Sequence, residues 1–263
     1  GGIRNPIGMR GVKLEMQANV VSALLPVCMN LKEVAGALNI NALKLVPTAV
    51  AAGRAVLLES QKENGVAVVE MGAATTSVAI FMEGFLQYFG VINVGANHIT
   101  NDIAISLAVS TEVAEEIKMK YVTAELIDND KPMTMRFGDE SISFTKTMVN
   151  QIVEDRLIDI FEHVKKEIAI AGYEKKLPEG VVLTGGGAEM RGIERFAREH
   201  MEVATRIGLP LMDVIHIDNE TKKPRFAVAI GLALMMNDDM REQETRVEEK
   251  PVGFLSKLFG GGR

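Results

Sequence analysis

Residues Val181-Val182-Leu183-Thr184 run directly into Gly185-Gly186-Gly187-Ala188. Four residues of buried-strand character end in three glycines, and Glu189 to Arg198 reads as a helix. Strand, glycine turn and helix in this order constrain the fold more than any other stretch, because they place the chain among α/β proteins. Glycines at such a turn let backbone N–H groups approach an anion, and the helix N-terminus adds partial positive charge. Two readings follow: a cradle for a phosphate or the sugar end of a nucleotide, and a plain tight turn. The first gains weight from a second small-residue loop, Glu70-Met71-Gly72-Ala73-Ala74-Thr75-Thr76, earlier in the chain.

With 263 residues, 47% of them hydrophobic, the chain can bury a core for one large domain or two small ones. Its formal net charge of −6 and the lack of a dense Lys/Arg run argue against general nucleic-acid binding. Cys28 is the only cysteine, which excludes an internal disulfide and a cysteine zinc cluster. His98, His163, His200 and His216 lack metal-ligand spacing and read as surface or packing residues. No apolar run reaches the roughly 18 residues of a membrane span, and nothing reads as a signal peptide, so the expectation is a cytosolic protein. The chain opens Gly-Gly without methionine and enters patterned sequence at once, which leads us to expect a fragment lacking its N-terminal part.

Alternation over residues 11–21 predicts an edge strand, followed by a helix over Leu25–Leu38, a short strand near Ala42–Val46 and a small-residue helix over Pro47–Ser60. Three antiparallel strands come next: Val66–Glu70, Ser77–Met82 after the small-residue loop, and a return strand after the Glu83-Gly84 turn, written as Phe85–Phe89 and Val91–Val94. Helices follow at His98–Leu107 and from Thr111, then two short strands, Met133–Phe137 and Ser141–Phe144. The longest helix runs from Thr147 to Ala171, with Val149, Ile152, Val153, Ile160, Phe161, Val164 and Ile168 at helical spacing and Gly172 as its stop. Thr205–Ile207 and Val214–Ile217 read as strands, and Ala227–Met236 as a buried helix. Asn237–Lys250 is almost wholly polar and predicts a solvated linker.

Three constellations carry chemistry. Glu70 at a strand end could face a magnesium-bound phosphate, with Gly72 and the N–H groups of its loop beside it and hydroxyls from Thr75 and Thr76; the alternative is an ordinary hairpin loop. Glu115 and Lys118, at i and i+3 on one helical face, form either a ribose grip or a surface ion pair worth about 0.2–0.5 kcal/mol. In the tail, Phe254, Leu255, Leu258 and Phe259 fall on one side of a helical wheel with Lys257 on the other. That pattern suits a membrane surface, or docking on a protein partner or on the chain's own domain. Burying the four side chains yields at most about 6–12 kcal/mol, so one copy binds weakly and several linked copies bind well.

These pieces, in this order, resemble the FtsA family of bacterial cell-division proteins within the actin-like ATPase superfamily. Asn5-Pro6-Ile7-Gly8-Met9-Arg10-Gly11-Val12-Lys13-Leu14-Glu15 is similar to the family's N-P-[IV]-G-M-x-G-x-[RK]-L-E segment. Val94-Gly95-Ala96-Asn97-His98-Ile99-Thr100-Asn101-Asp102-Ile103-Ala104 resembles V-G-G-x-H-I-T-x-D-I-A, with Ala96 in place of its second glycine. Ala114-Glu115-Glu116-Ile117-Lys118 is similar to A-E-x-[LI]-K, whose Glu and Lys contact the ribose in actin-like relatives, and Val181–Gly192 resembles the adenosine-side loop. At the second phosphate loop the family reads D-I-G-G-G-T-T-D where this chain has Glu70, Ala73, Ala74 and Ser77 at the departures. The added methyl groups crowd a phosphate-facing backbone, and the longer Glu70 displaces the metal-side carboxylate.

The resemblance implies an actin-like (ribonuclease-H-like) ATPase fold with the second lobe complete and the first lobe mostly missing, its first phosphate loop lying before residue 1. Residues 1–43 would be the remnant of an inserted subdomain, 44–62 an inter-lobe helix, 63–236 the second lobe with a small subdomain at about 111–145, 237–250 a linker and 251–263 the membrane tail. ATP with Mg²⁺ would bind at Gly72, Thr75, Thr76, Gly95, Glu115, Lys118, Gly185, Gly186 and Gly187, with Glu70 holding the metal through water. The nucleotide would act as a switch more than as a metabolic substrate. The protein would polymerise on the inner face of the cell membrane at the division site. There it would tether the FtsZ C-terminal peptide and recruit later division proteins. A PilM-like pilus-assembly scaffold and a soluble actin-fold kinase are the alternatives.

Overall fold

The computed structural model describes residues 8–13, 15–16, 18–40, 44–125, 131–138, 140–211 and 218–248. The chain divides into two units, Gly1–Ala42 and Leu43–Arg263. In the first, helix α1 (Leu25–Ala37) begins with proline in its first turn, where the missing N–H costs nothing. It buries none of its residues. The strand expected over 11–21 does not form among the described residues. Alternation supplies an apolar face, but a strand also needs a neighbour to take its ladder hydrogen bonds.

The second unit opens with α2 (Thr48–Val56) and α3 (Glu59–Asn64). The single helix expected over 47–60 breaks at Leu57, which is extended. Lys44–Val46 is irregular rather than a strand. Strands β1 (Val66–Met71), β2 (Thr76–Met82) and β3 (Phe85–Ile92) form the expected antiparallel set, with β3 one strand instead of two. Then come α4 (Ala96–Leu107), α5 (Thr111–Tyr121), the hairpin β4 (Pro132–Phe137) and β5 (Glu140–Thr145), and α6 (Lys146–Ile170). Ser110 and Thr145 cap α5 and α6 by accepting from the N–H of Val113 and Met148. Strand β6 (Val181–Thr184) leads through a 3₁₀ turn (Gly186–Glu189) to α7 (Ile193–Met201), then β7 (Thr205–Ile207) and α8 (Ala227–Glu248). The helix expected from Glu189 thus starts four residues later, because Gly192 at φ +82° interrupts it. The expected strand Val214–Ile217 lies outside the described residues.

The five-stranded sheet has the order β3-β2-β1-β6-β7, antiparallel on its first side and parallel from β1 onwards. β1 is buried on both faces, as its unbroken apolar run requires. Val69 and Met71 face a core that includes Ile99, Ile103, Leu157 and Phe161 from α4 and α6. Val66 and Val68 face Ala52, Val56 and Leu234 from α2 and α8. These last two helices pack through small residues, and a Cβ on Gly231 would run into the carbonyl of Ala51.

Where composition predicts a linker from Asn237, α8 instead continues to Glu248. Arg54 makes two hydrogen bonds to Asp238, at 2.8 and 3.2 Å, and Lys44 reaches Asp239 at 3.1 Å. A packed helix propagates more readily than a new one nucleates, and these pairs hold its next turn. Gly231→Ala is expected to lower unfolding free energy by about 1–3 kcal/mol through overpacking, read by denaturant melts against Ala233→Gly as an exposed control.

Candidate functional site: a basic cleft between two glycine turns

β1 and β6 pair in register, Glu70 opposite Thr184, so their chains turn at the same edge of the sheet. The first turn is closed by Gly72 N–H donating to Thr75 O at 2.9 Å. The start of α4 docks on it: Ala96 N–H donates to Gly72 O (2.9 Å) and Asn97 N–H to Ala73 O (2.8 Å). A Cβ on Gly95 would lie 2.7 Å from Gly72 O, Ala73 O and Thr75 N, so glycine is needed there for close packing. Gly95 N–H donates to His98 Nδ1 at 3.1 Å, which gives the packing histidine a capping task. In the second turn Gly185 sits at φ +87°, and a Cβ there would be 2.6 Å from Met71 O and 2.8 Å from Glu70 Oε1.

Beside these turns opens a cleft of about 570 Å³. Of the sequence-predicted residues it brings together Gly72, Glu115, Lys118, Gly186 and Gly187; Glu70, Thr75, Thr76, Gly95 and Gly185 are outside its lining. Thr76 is fully buried and its hydroxyl donates to Val94 O at 2.8 Å, which corrects its assignment as a donor to ligand. Ala73 lines the cleft and Ala74 is exposed, so only the first of the added methyls takes space from a ligand.

Glu115 and Lys118 form a pair that is buried on the lysine side, while the Glu115 side chain is 44% exposed. The Lys118 side chain is only 8% exposed. Its ammonium lies 2.6 Å from Glu115 Oε2 and donates to Thr100 Oγ1 (2.7 Å) and Ala96 O (3.2 Å). Thr100 in turn donates to Glu115 Oε2 at 2.5 Å. Partial burial pushes the Glu115 pKa up, and the hydrogen bonds and charge of its partners outweigh this and hold it below the ordinary carboxylate value.

The cleft also contains residues that sequence reading missed. Arg225 donates through Nε to Glu189 Oε1 at 2.7 Å, with further bonds from its Nη2 and backbone N–H. Those hydrogen bonds hold the Glu189 carboxyl below its usual range. Lys120, Lys146 and Arg191 line the cleft as well. No linear signal joins residue 189 to residue 225, or 146 to 118; only the glycine turn near Glu189 hinted at a site. The lining therefore carries five basic side chains against two carboxylates, on a chain of net charge −6. Such a walled basic cleft attracts anions by focusing field.

The residues do not fit the Mg²⁺ site that the fold implies. Glu70 is 7% exposed and outside the cleft lining. Burial raises its pKa, an effect only partly offset by a hydrogen bond with Thr48 at the start of α2. Among the described residues no three His, Cys, Asp or Glu side chains converge as a metal set would.

A mixed five-stranded sheet with helices on both faces, beside a separate two-stranded hairpin, is the arrangement of an actin-like ATPase fold. Solved structures agree: MreB5 of Spiroplasma citri bound to ADP superposes with a TM-score of 0.67 at 18% identity, over 84% of this chain and 68% of that one. The PilM-PilN type IV pilus biogenesis complex gives 0.61 at 20% identity, over 80% and 57%. Within that class, the sequence model described as Cell division protein FtsA matches residues 67–231, and the chain belongs to the FtsA family. Curated members share 32% identity over 237 residues in Pseudomonas aeruginosa and 31% over 269 residues in Neisseria meningitidis serogroup B. These alignments cover 89% and 99% of this chain but 57% and 63% of the relatives' length.

Because the Glu115 pKa is depressed on folding, its stabilising contribution is present above its unfolded value and is lost as pH falls through the folded one. Urea melts of wild type and Glu115→Gln between about pH 3 and 7 should converge at the acid end and separate towards neutrality, wild type being the more stable there.

Proposed function

We propose that this chain is the nucleotide-binding second lobe of an FtsA-type cell-division protein, and that its cleft holds the nucleoside end of an adenine nucleotide. The observation that carries this is the fixed Lys118–Glu115–Thr100 triad facing the Gly186–Gly187 turn across a basic cleft. The ribose hydroxyls meet one carboxylate acceptor and one ammonium donor, and the phosphates lie towards the Gly72 turn. MreB5 of Spiroplasma citri, solved bound to ADP, has the same fold, which supports the reading. The nucleotide acts as a switch on assembly, and ATP and ADP are its natural forms.

At the level of the complete protein, the reading is a peripheral protein on the cytoplasmic face of the cell membrane at the division septum. It self-associates into actin-like filaments, binds the FtsZ C-terminal peptide and recruits later division proteins. Membership of the FtsA family supports these roles. The membrane contact rests on Phe254, Leu255, Lys257, Leu258 and Phe259, which lie outside the described residues. No described helix is long and apolar enough to cross a membrane, so attachment would be at the surface. No observation favours a soluble kinase, and the likeness to PilM extends to fold alone.

Calorimetric titration with ADP should give saturable binding, weakened about tenfold or more in Lys118→Ala, the loss expected for a charge-assisted hydrogen bond. Wild type that takes up no ADP would remove the nucleotide reading. Sedimentation with anionic liposomes should deplete wild type from solution and leave Phe254→Glu/Phe259→Glu behind. Equal partitioning of the two would sink the membrane role.

A further inference from the structure

Glu70 stands where the family's phosphate loop has an aspartate, and its surroundings give it a different task. Along β1, Val66, Val68 and Glu70 share one face, the face covered by α2 and α8. Its cross-strand neighbours are Ser77 on β2 and Thr184 on β6. Ser77 also replaces a family aspartate, and it is 3% exposed. The hydroxyl of Thr48, first residue of α2, lies 3.2 Å from Ser77 Oγ and hydrogen-bonds the Glu70 carboxyl. The third neighbour, Thr184, turns its hydroxyl away to Gly208 O (3.0 Å) and Pro224 O (3.3 Å).

The carboxyl also fills the space between the two glycine turns. Glu70 Oε1 comes within 2.8 Å of a Cβ position on Gly185 and 3.5 Å of one on Gly72. The extra methylene of Glu over Asp is what lets the group reach both. A hydrated Mg²⁺ keeps several waters and needs its carboxylate turned outward to them. Here the carboxyl is buried, bonded to the Thr48 hydroxyl and set between the two glycine turns.

We propose that Glu70 is a positioning residue that pins the first turn of α2 to the two glycine turns, and that this cleft takes its nucleotide without a divalent cation at Glu70. Buried Glu70 and Ser77, with Thr48 at the surface beside them, form a polar cluster in place of a metal site. Adenine nucleotide is then held by the ribose grip and by the basic side chains of the cleft, a statement that rests on the nucleotide reading above.

Three experiments on the full chain test this, and they fail separately. Calorimetric titration with ADP should give a Kd that changes by less than about twofold between excess Mg²⁺ and EDTA, because the Glu70 carboxyl is buried outside the cleft lining and the two carboxylates that do line it are paired with Lys118 and Arg225. A weakening of about tenfold or more in EDTA, abolished by Glu70→Gln, would overturn the proposal. Titration with Mn²⁺ alone, followed by water proton relaxation, needs no nucleotide and decides the point if the cleft binds none. No relaxation enhancement that depends on Glu70 is expected; an enhancement present in wild type and lost in Glu70→Gln would overturn the metal-free assignment. The positioning role is read by amide hydrogen exchange in α2. Glu70→Ala should speed exchange over residues 51–54, and Glu70→Gln, which keeps a hydrogen bond to Thr48, should restore protection. Wild-type protection in Glu70→Ala would overturn that role.

Discussion

Everything in the second unit depends on the parallel pairing of β1 with β6. Ala67 to Glu70 lie opposite Val181 to Thr184, and both strands are buried. A slip of one residue would exchange the faces of β1, sending Glu70 into the core around Ile99 and Phe161 and Val69 towards α2. The register is therefore set by burial. Because it brings both strand ends to one edge, it also brings the two glycine turns together, and the cleft follows from that adjacency.

Packing and chemistry compete for the same glycines. Gly95, Gly185 and Gly187 are each needed because another backbone or side chain approaches too closely for a Cβ. Gly186, by contrast, has open space around it and lines the cleft. Glycine-rich turns in such folds serve two ends, joining tightly packed elements and exposing backbone donors, and here the first accounts for more of the positions. The ligand-facing character comes from charge. Lys118 is buried among three oxygen acceptors that keep its ammonium in place, and its neighbours Lys146 and Arg191 add positive potential.

Departures from the family pattern are absorbed by local physics. The longer Glu70 gains a hydroxyl partner on α2, Ser77 completes that cluster, and Ala74 projects into open surface. This end of the sheet is thus held by hydrogen bonds among Glu70, Thr48 and Ser77. Such a cluster avoids the cost of burying two carboxylates side by side.

The sequence by itself determined most of the elements and their order. The apolar run of β1, the Glu83-Gly84 turn, the helical spacing of α6 and the strand entering three glycines each act over a few residues, where propensity and periodicity decide. Local signals erred where partners lie far away. Residues 11–21 alternate but pair with no strand among the described residues, and Asn237–Glu248 is polar but extends a helix packed on α2 and tied to Arg54. Glu115 and Lys118 were legible as a pair, yet the burial that makes the pair rigid depends on Thr100 and Ala96 of α4. The Arg225–Glu189 bond, the placement of Lys146 and the burial of Glu70 and Thr76 had no trace in the sequence, because each depends on strands and helices meeting across long separations. Sequence decided the pieces through local conformational energy; tertiary structure decided which groups face the cleft, through burial and the register of the sheet.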